Sequence, residues 1–361
     1  MFSRSILLAW LFGAAASAAL GSSFAFTTTV NPLGGGVPVV GEGVIGPTAA
    51  GINNAGQIVG TYYNTSGHGY LDNGGAFTSF DDPLVTNGTQ ANGINNVGEI
   101  VGEYIDRNGG FGLYGFVQVP FVRANGGFVT IDDPSTNDVY TEANGINDAG
   151  QVVGDYEDAI PDPNGGNQPQ LNGFLLNGSV FTTIDDPLGF STTLTGINNA
   201  GIIGGFYNDA SGKAHGFVDV DGVFITIDDP LGTGRTEVEG INNNDQVVGF
   251  YIDGTGQVHG FLDNHPLGNS TINPLVASGS PFTGSPFTTI DDPSLSDCKA
   301  FGINDAGQIV GSCGFTGITG FVATPTTSGG VGPSPVPEPA TIFLLGAGLL
   351  VLTRHRIRRE G

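Results

Sequence analysis

The sequence predicts an all-β protein, a six-bladed β-propeller of four-stranded antiparallel blades. Three observations point there. A ten-residue stretch is written six times, each copy divides into four strand-like pieces, and the last copy lacks a fourth piece that stands instead near the N-terminus. With 62 Gly, 21 Pro and no long helical periodicity, the composition suits a turn-rich β fold.

The repeated stretch is GINNAGQIVG at 51–60, and variants of it begin at Gly93, Gly145, Gly196, Gly240 and Gly302. Spacings of 42, 52, 51, 44 and 62 residues mark a repeat architecture. The first piece ends in Gly-Ile-Asn. A tight turn leads to the second, as in QIVGTYY, whose alternation suits a half-buried strand. The third carries a Gly-aromatic step at 68–72, 114–118, 172–176, 215–219, 259–263 and 319–323. The fourth reads AFTSFDDP, FVTIDDP, FTTIDDP, FITIDDP and FTTIDDP. Four short antiparallel strands make a propeller blade, here with the Gly-Ile-Asn strand on the axis and the fourth piece outermost.

The sixth copy runs from Ala323 into a linker without a fourth piece, and Phe26–Pro32 (FTTTVNP) has the same Phe-to-Pro offset as Phe77 and Pro83. A ring closed by both chain ends would remove the exposed sheet edges. The two cysteines also fall in the sixth copy. Cys298 takes the place of Thr89, Thr141, Thr192 and Thr236, and Cys313 that of Tyr62, Tyr104, Tyr156, Tyr207 and Tyr251. A disulfide across one hairpin of an exported protein is expected, though a bulge would shift the register by one.

Recurrent residues are candidate sites. Asn53, Asn95, Asn147, Asn198, Asn242 and Asn304 precede the tight turn and suit Asx-turns. The Asp-Asp-Pro steps place Asp81, Asp82, Asp132, Asp133, Asp185, Asp186, Asp228, Asp229, Asp291 and Asp292 on one face, which they share with Asp106, Glu157, Asp158, Asp162, Asp209 and Asp253. Oxygen-rich acidic loops suit Ca2+, while Asp before Pro equally suits a turn cap on a solvated face. His68, His215 and His259 share one repeat position with Tyr114, Asn172 and Thr319, too far apart to meet on one metal. No catalytic residue stands out. Departures from the repeat at 157–170 and 263–285 are candidate binding loops.

The ends give an address. Residues 1–25 read as a secretory signal peptide with Ser23-Phe24-Ala25 as its cleavage site, followed by the propeller at 26–323 and a Thr/Pro/Gly/Ser linker at 324–335. Residues 336–361 carry Val336-Pro337-Glu338-Pro339, an apolar run at 340–353, and Arg354, Arg356, Arg358 and Arg359. The apolar run is short for a transmembrane helix, and the arginines leave the tail cytoplasmic. This segment resembles the PEP-CTERM sorting signal of Gram-negative bacteria. The resemblance implies processing by an exosortase, transient membrane anchorage, and delivery to the cell surface or an exopolysaccharide matrix. The third pieces resemble HAF-type extracellular repeats, with Gly in place of the central Ala.

The chain has 34 acidic and 10 basic residues. Setting aside 1–25 and 336–361 removes five Arg and two Glu, leaving 32 acids against five bases. Such a body repels nucleic acid. The expected role is a non-enzymatic binding or structural module, for exopolysaccharide, matrix proteins or Ca2+. The alternative is a carbohydrate-active hydrolase or lyase using carboxylates of the acidic face.

Overall fold

The computed structural model describes residues 23–28, 48–63, 66–81, 88–106, 117–124, 127–131, 141–158, 170–264, 287–314 and 319–326. The described residues are all strand and turn, arranged as four-stranded antiparallel sheets in a propeller. The first sheet is β2 (Thr48–Ile52), β3 (Gln57–Tyr63), β4 (Gly67–Asn73) and β5 (Ala76–Phe80), hydrogen-bonded in that order.

Four more sheets repeat the pattern. They are β6–β9 (Thr89–Ile94, Ile100–Asp106, Val117–Ala124, Gly127–Thr130), β10–β13 (Thr141–Ile146, Val152–Asp158, Gln170–Asn177, Val180–Thr183), β14–β17 (Ser191–Ile197, Ile203–Asn208, Ala214–Val220, Val223–Ile227) and β18–β21 (Arg235–Ile241, Val247–Ile252, Val258–Asp263, Thr288–Ile290). These five blades are each built from consecutive strands. A sixth four-stranded sheet is composite: β22 (Lys299–Ile303), β23 (Ile309–Cys313) and β24 (Thr319–Thr326) take β1 (Ser23–Thr28) as their outer strand.

The register shows why β1 fits. Phe26 packs at a tilt against Phe321 with ring centroids 5.5 Å apart. Phe77 meets Tyr70 at 5.7 Å, Phe181 meets Phe174 at 5.3 Å, and Phe224 meets Phe217 at 5.3 Å in the same way. An aromatic pair between third and fourth strands is therefore part of the blade, and Phe26 supplies the missing half. The pairing reaches further than the sequence predicts: β1 is shifted toward the N-terminus, to Ser23–Thr28, and its partner β24 runs on to Thr326. β1 thus starts inside the expected signal peptide and pairs with Thr324–Thr326, inside the expected linker.

Each first strand carries a bulge just before the Gly-Ile-Asn glycine, at Ala50, Asn92, Asn144, Thr195, Glu239 and Phe301. The facing second-strand glycine makes room for it: a Cβ on Gly154 would lie 1.9 Å from the carbonyl oxygen of Glu142. The bulge also decides the cysteine register. It brings Thr141 opposite Tyr156 and Thr236 opposite Tyr251, and by the same count Cys298 opposite Cys313, which form a disulfide. The slip anticipated as a threat to the pairing is what creates it.

One strand stands elsewhere than the repeat pattern predicts. In the second blade the third strand is β8, not 114–118. Val119 faces Tyr104 where His68 faces Tyr62, and Phe121 faces Gly102 where Tyr70 faces Gly60. The expected Tyr114 lies outside the described residues, and Val119 holds the histidine position in the register.

Apolar side chains fill the wedges between neighbouring blades. Val59 and Phe80 pack with Ala91, Ile94 and Ile100, and Val153 with Leu194, Ile197 and Phe217. The same kind of wedge, Ala49, Ile52 and Ile58 against Val310, joins the first blade to the composite one. Burial of these wedges, at about 25 cal/mol per Å² of apolar surface, is the main cohesive term of the ring.

Candidate functional site

Two features of the axis answer what the repeated Gly-Ile-Asn-Asn stretch does. Each first asparagine is buried and accepts backbone N–H bonds from within its own turn. Asn147 Oδ1, for instance, accepts from Ala149 and Gln151 at 3.1 and 3.0 Å. That is the expected Asx-turn. The amide's other end does something the sequence did not reveal: Asn53 Nδ2 donates to the carbonyl of Asn95, Asn95 to Asn147, Asn147 to Asn198, Asn198 to Asn242, Asn242 to Asn304, and Asn304 back to Asn53. The six bonds, 2.9–3.3 Å long, close a ring.

The next residue builds a second ring. Backbone N–H groups of Asn54, Asn96, Asp148, Asn199, Asn243 and Asp305 each donate to the side-chain oxygen of the following member, the last returning to Asn54, at 2.7–2.9 Å. Asp148 also accepts from the side chains of Asn96 and Asn199. Burial opposes its ionisation, but these hydrogen bonds outweigh it and lower its pKa. The six isoleucines, Ile52 to Ile303, form an apolar collar just inside these rings, where the remaining space is only about 60 Å³.

Beyond the collar the axis widens into a funnel of about 450 Å³. Here the repeats stop agreeing. The bulge position presents Ala50, Asn92, Asn144, Thr195, Glu239 and Phe301 in turn. Gln90, Glu103, Glu142, Thr193 and Phe206 complete the wall. Asn144 Nδ2 donates to Asp155 at 2.9 Å, and Gln90 Nε2 to Glu103 at 2.6 Å.

The funnel is electrostatically divided. At one wall Glu103, and beside it Asp155, are buried, and desolvation together with the nearby Glu142 raises both carboxyls well above the usual range. On the other, burial pushes Glu239 up to about 7 against the pull of Lys299 and Arg235. Arg235 pairs with Glu237, and the Lys299 ammonium sits 3.9 Å above the Phe250 ring centroid. Carboxyls crowd together on one side, while on the other Lys299 and Arg235 stand near Glu239, which no sequence pattern announced.

The outer acidic face is organised around histidines. His68 Nδ1 meets Asp81 at 2.8 Å, and His215 and His259 meet Asp228 and Asp291 at 2.7 Å. Their other nitrogens lie 3.5 and 3.4 Å from Asp209 and Asp253, and each ring stacks on Tyr62, Tyr207 or Tyr251. Burial disfavours the His259 imidazolium, but Asp291 and Asp253 outweigh it and raise the pKa. Hydrogen bonds from Thr255 and Gln257 hold Asp253 down at about 2. In the third blade Asn172 replaces the histidine, and Asp185 accepts from the Gly173 N–H instead.

The first aspartate of each described step is therefore a histidine or backbone partner. The second caps the following turn: Asp186, Asp229 and Asp292 are buried and accept from the N–H of Leu188, Leu231 and Ser294 at 2.8 Å. The steps stand one to a blade, and no metal-holding group of three or more His, Cys, Asp or Glu occurs among the described residues. Asp82, Asp132, Asp133 and Asp162, most of the loops 157–170 and 263–285, and the whole segment 327–361 with Val336–Pro339 and the arginines lie outside the described residues. Among the described residues no helix is long and apolar enough to cross a membrane; the apolar run 340–353 is not among them.

Comparison with known proteins gives two findings. Residues 335–359 match the PEP-CTERM protein-sorting motif, which indicates a secreted, cell-surface exosortase substrate of a Gram-negative bacterium. Among solved structures, the chain is similar to a triple arginine-to-alanine mutant of AofleA from Arthrobotrys oligospora. The TM-score is 0.46 and the identity 12%, over 83% of this chain and 86% of that one. No curated protein matches.

Proposed function

We propose that this exported chain is a rigid, non-enzymatic binding module of the cell surface or extracellular matrix, and that its funnel takes segments of matrix exopolysaccharide. One observation carries the reading. The six copies agree where the rings and turns are built and disagree at the positions that line the funnel, so along the axis it is the funnel that presents a specific surface. Amide, hydroxyl and carboxylate groups beside Phe206 and Phe301 suit hydroxylated ligands with apolar faces. The resemblance of the Gly-aromatic steps to extracellular repeats fits the same address. Calcium at the Asp-Asp-Pro steps finds less support, because their described oxygens serve turns and histidines.

A second reading has its own observation. Burial and the neighbouring Glu142 raise the pKa values of Glu103 and Asp155, the direction that a glycosidase acid requires. Incubating the purified protein with matrix polysaccharide separates the two. Retarded migration in affinity electrophoresis without release of reducing ends supports the module. Reducing-end release abolished by Glu103→Gln or Glu142→Gln alone would replace it with a hydrolase.

A further inference from the structure

The composite blade bears on where the chain is processed, given the export reading above. A cut after Ala25 would remove Ser23, Phe24 and Ala25, which pair with Thr326, Pro325 and Thr324. It would halve β1, place a charged ammonium on Phe26, and strip Phe24 from the cluster that includes Phe321, Cys298 and Cys313.

β1 has reason to need its full length. The other outer strands are three to five residues long and four of them are tied to their neighbours by tight hairpins, as β17 is to β16 through Asp221 and Gly222. β1 arrives from the opposite end of the chain, so its docking carries a larger loop-closure cost. Six paired residues and two inward phenylalanines offset that cost.

We propose that signal peptidase spares β1 and hydrolyses the Ala18–Ala19 bond, at Ala16-Ser17-Ala18. This triplet has small residues at both required positions and follows the apolar run Ile6–Phe12 after Gly13, Ala14 and Ala15. Water supplies the hydroxyl to the Ala18 carbonyl and the proton to the Ala19 amine. The mature chain then begins four residues before β1.

The test is N-terminal sequencing of the protein exported by a Gram-negative host from the full-length gene, alone and as Ala25→Leu. Ala25 is exposed, so the variant leaves the fold intact. The expected result is a chain starting at Ala19 in both. A chain starting at Phe26, with processing blocked in Ala25→Leu, would overturn the proposal while leaving export standing. A chain that keeps Met1 and stays with the inner membrane would overturn both.

Discussion

Replacing Asn147 by Ala removes one link of the inner ring and its turn together. Its side chain donates to the Asn198 carbonyl at 3.1 Å and to Gln151 Oε1 at 2.7 Å, and accepts from two backbone N–H groups. The residue is 3% exposed, so the groups left behind are poorly placed to find water. Four bonds at a net ~1 kcal/mol each set an upper estimate, and partial hydration of the turn lowers it; a loss of about 2–4 kcal/mol follows. For a domain of this size that is roughly 3–6 °C in the melting midpoint. Asn54→Ala, in the exposed outer ring, is the control and costs under about 1 kcal/mol, because its groups can bond to water. Urea unfolding monitored by fluorescence and circular dichroism measures both. If Asn147→Ala unfolds within error of the parent, the rings are decoration and not closure.

Other expectations follow from the same geometry. Cys298→Ala with Cys313→Ala opens a cross-link between residues 15 apart, at a cost of about 3 kcal/mol. Cys298→Thr with Cys313→Tyr restores the pair used by four other blades and recovers part of that loss in a urea titration. Stability falls between pH 5 and pH 8. Glu103, Asp155 and Glu239 have raised folded pKa values, so ionising them costs the fold more as pH rises from their unfolded values toward about 7 for Glu239. The raised His259 acts in the same direction, its contribution being complete below its unfolded value near 6.5 and lost as pH passes the folded one. Glu239→Gln flattens the profile, and a flat parent profile would contradict the assignment. Asp291→Asn lowers the His259 pKa in an NMR titration. Calcium and chelator give melting midpoints within about 2 °C of each other, whereas a Ca2+-dependent rise of several degrees would make the acidic face a cation site.

What was legible in the sequence is what the blade needs in every copy. Gly-Ile-Asn, the Asp-Asp-Pro steps and the fragment at Phe26 each repeat a packing requirement, so their spacing exposes strand order and the composite sheet. The cysteine pair was legible because it replaces two residues that face each other elsewhere. The second blade failed for a physical reason. Its third strand carries Pro120 where the other copies have Gly, and Pro inside a run argues against a strand, while Tyr114-Gly115-Phe116 offered a false step nearby. The funnel was illegible because its chemistry comes from positions where the copies differ. Nothing in the spacing shows that Glu103 and Glu142, drawn from two blades, share one wall with Asp155 beside them, or that the bulge turns Asn144 and Glu239 toward the axis.

The most direct measurement is calorimetric titration of matrix polysaccharide into the exported protein, its Glu142→Gln and Phe301→Ala variants, and Asp185→Asn on the outer face. Binding is expected to weaken at least tenfold in both funnel variants and to be unchanged by Asp185→Asn. Binding that survives both funnel variants and is lost with Asp185→Asn would place the contact on the acidic face and contradict the funnel as the site.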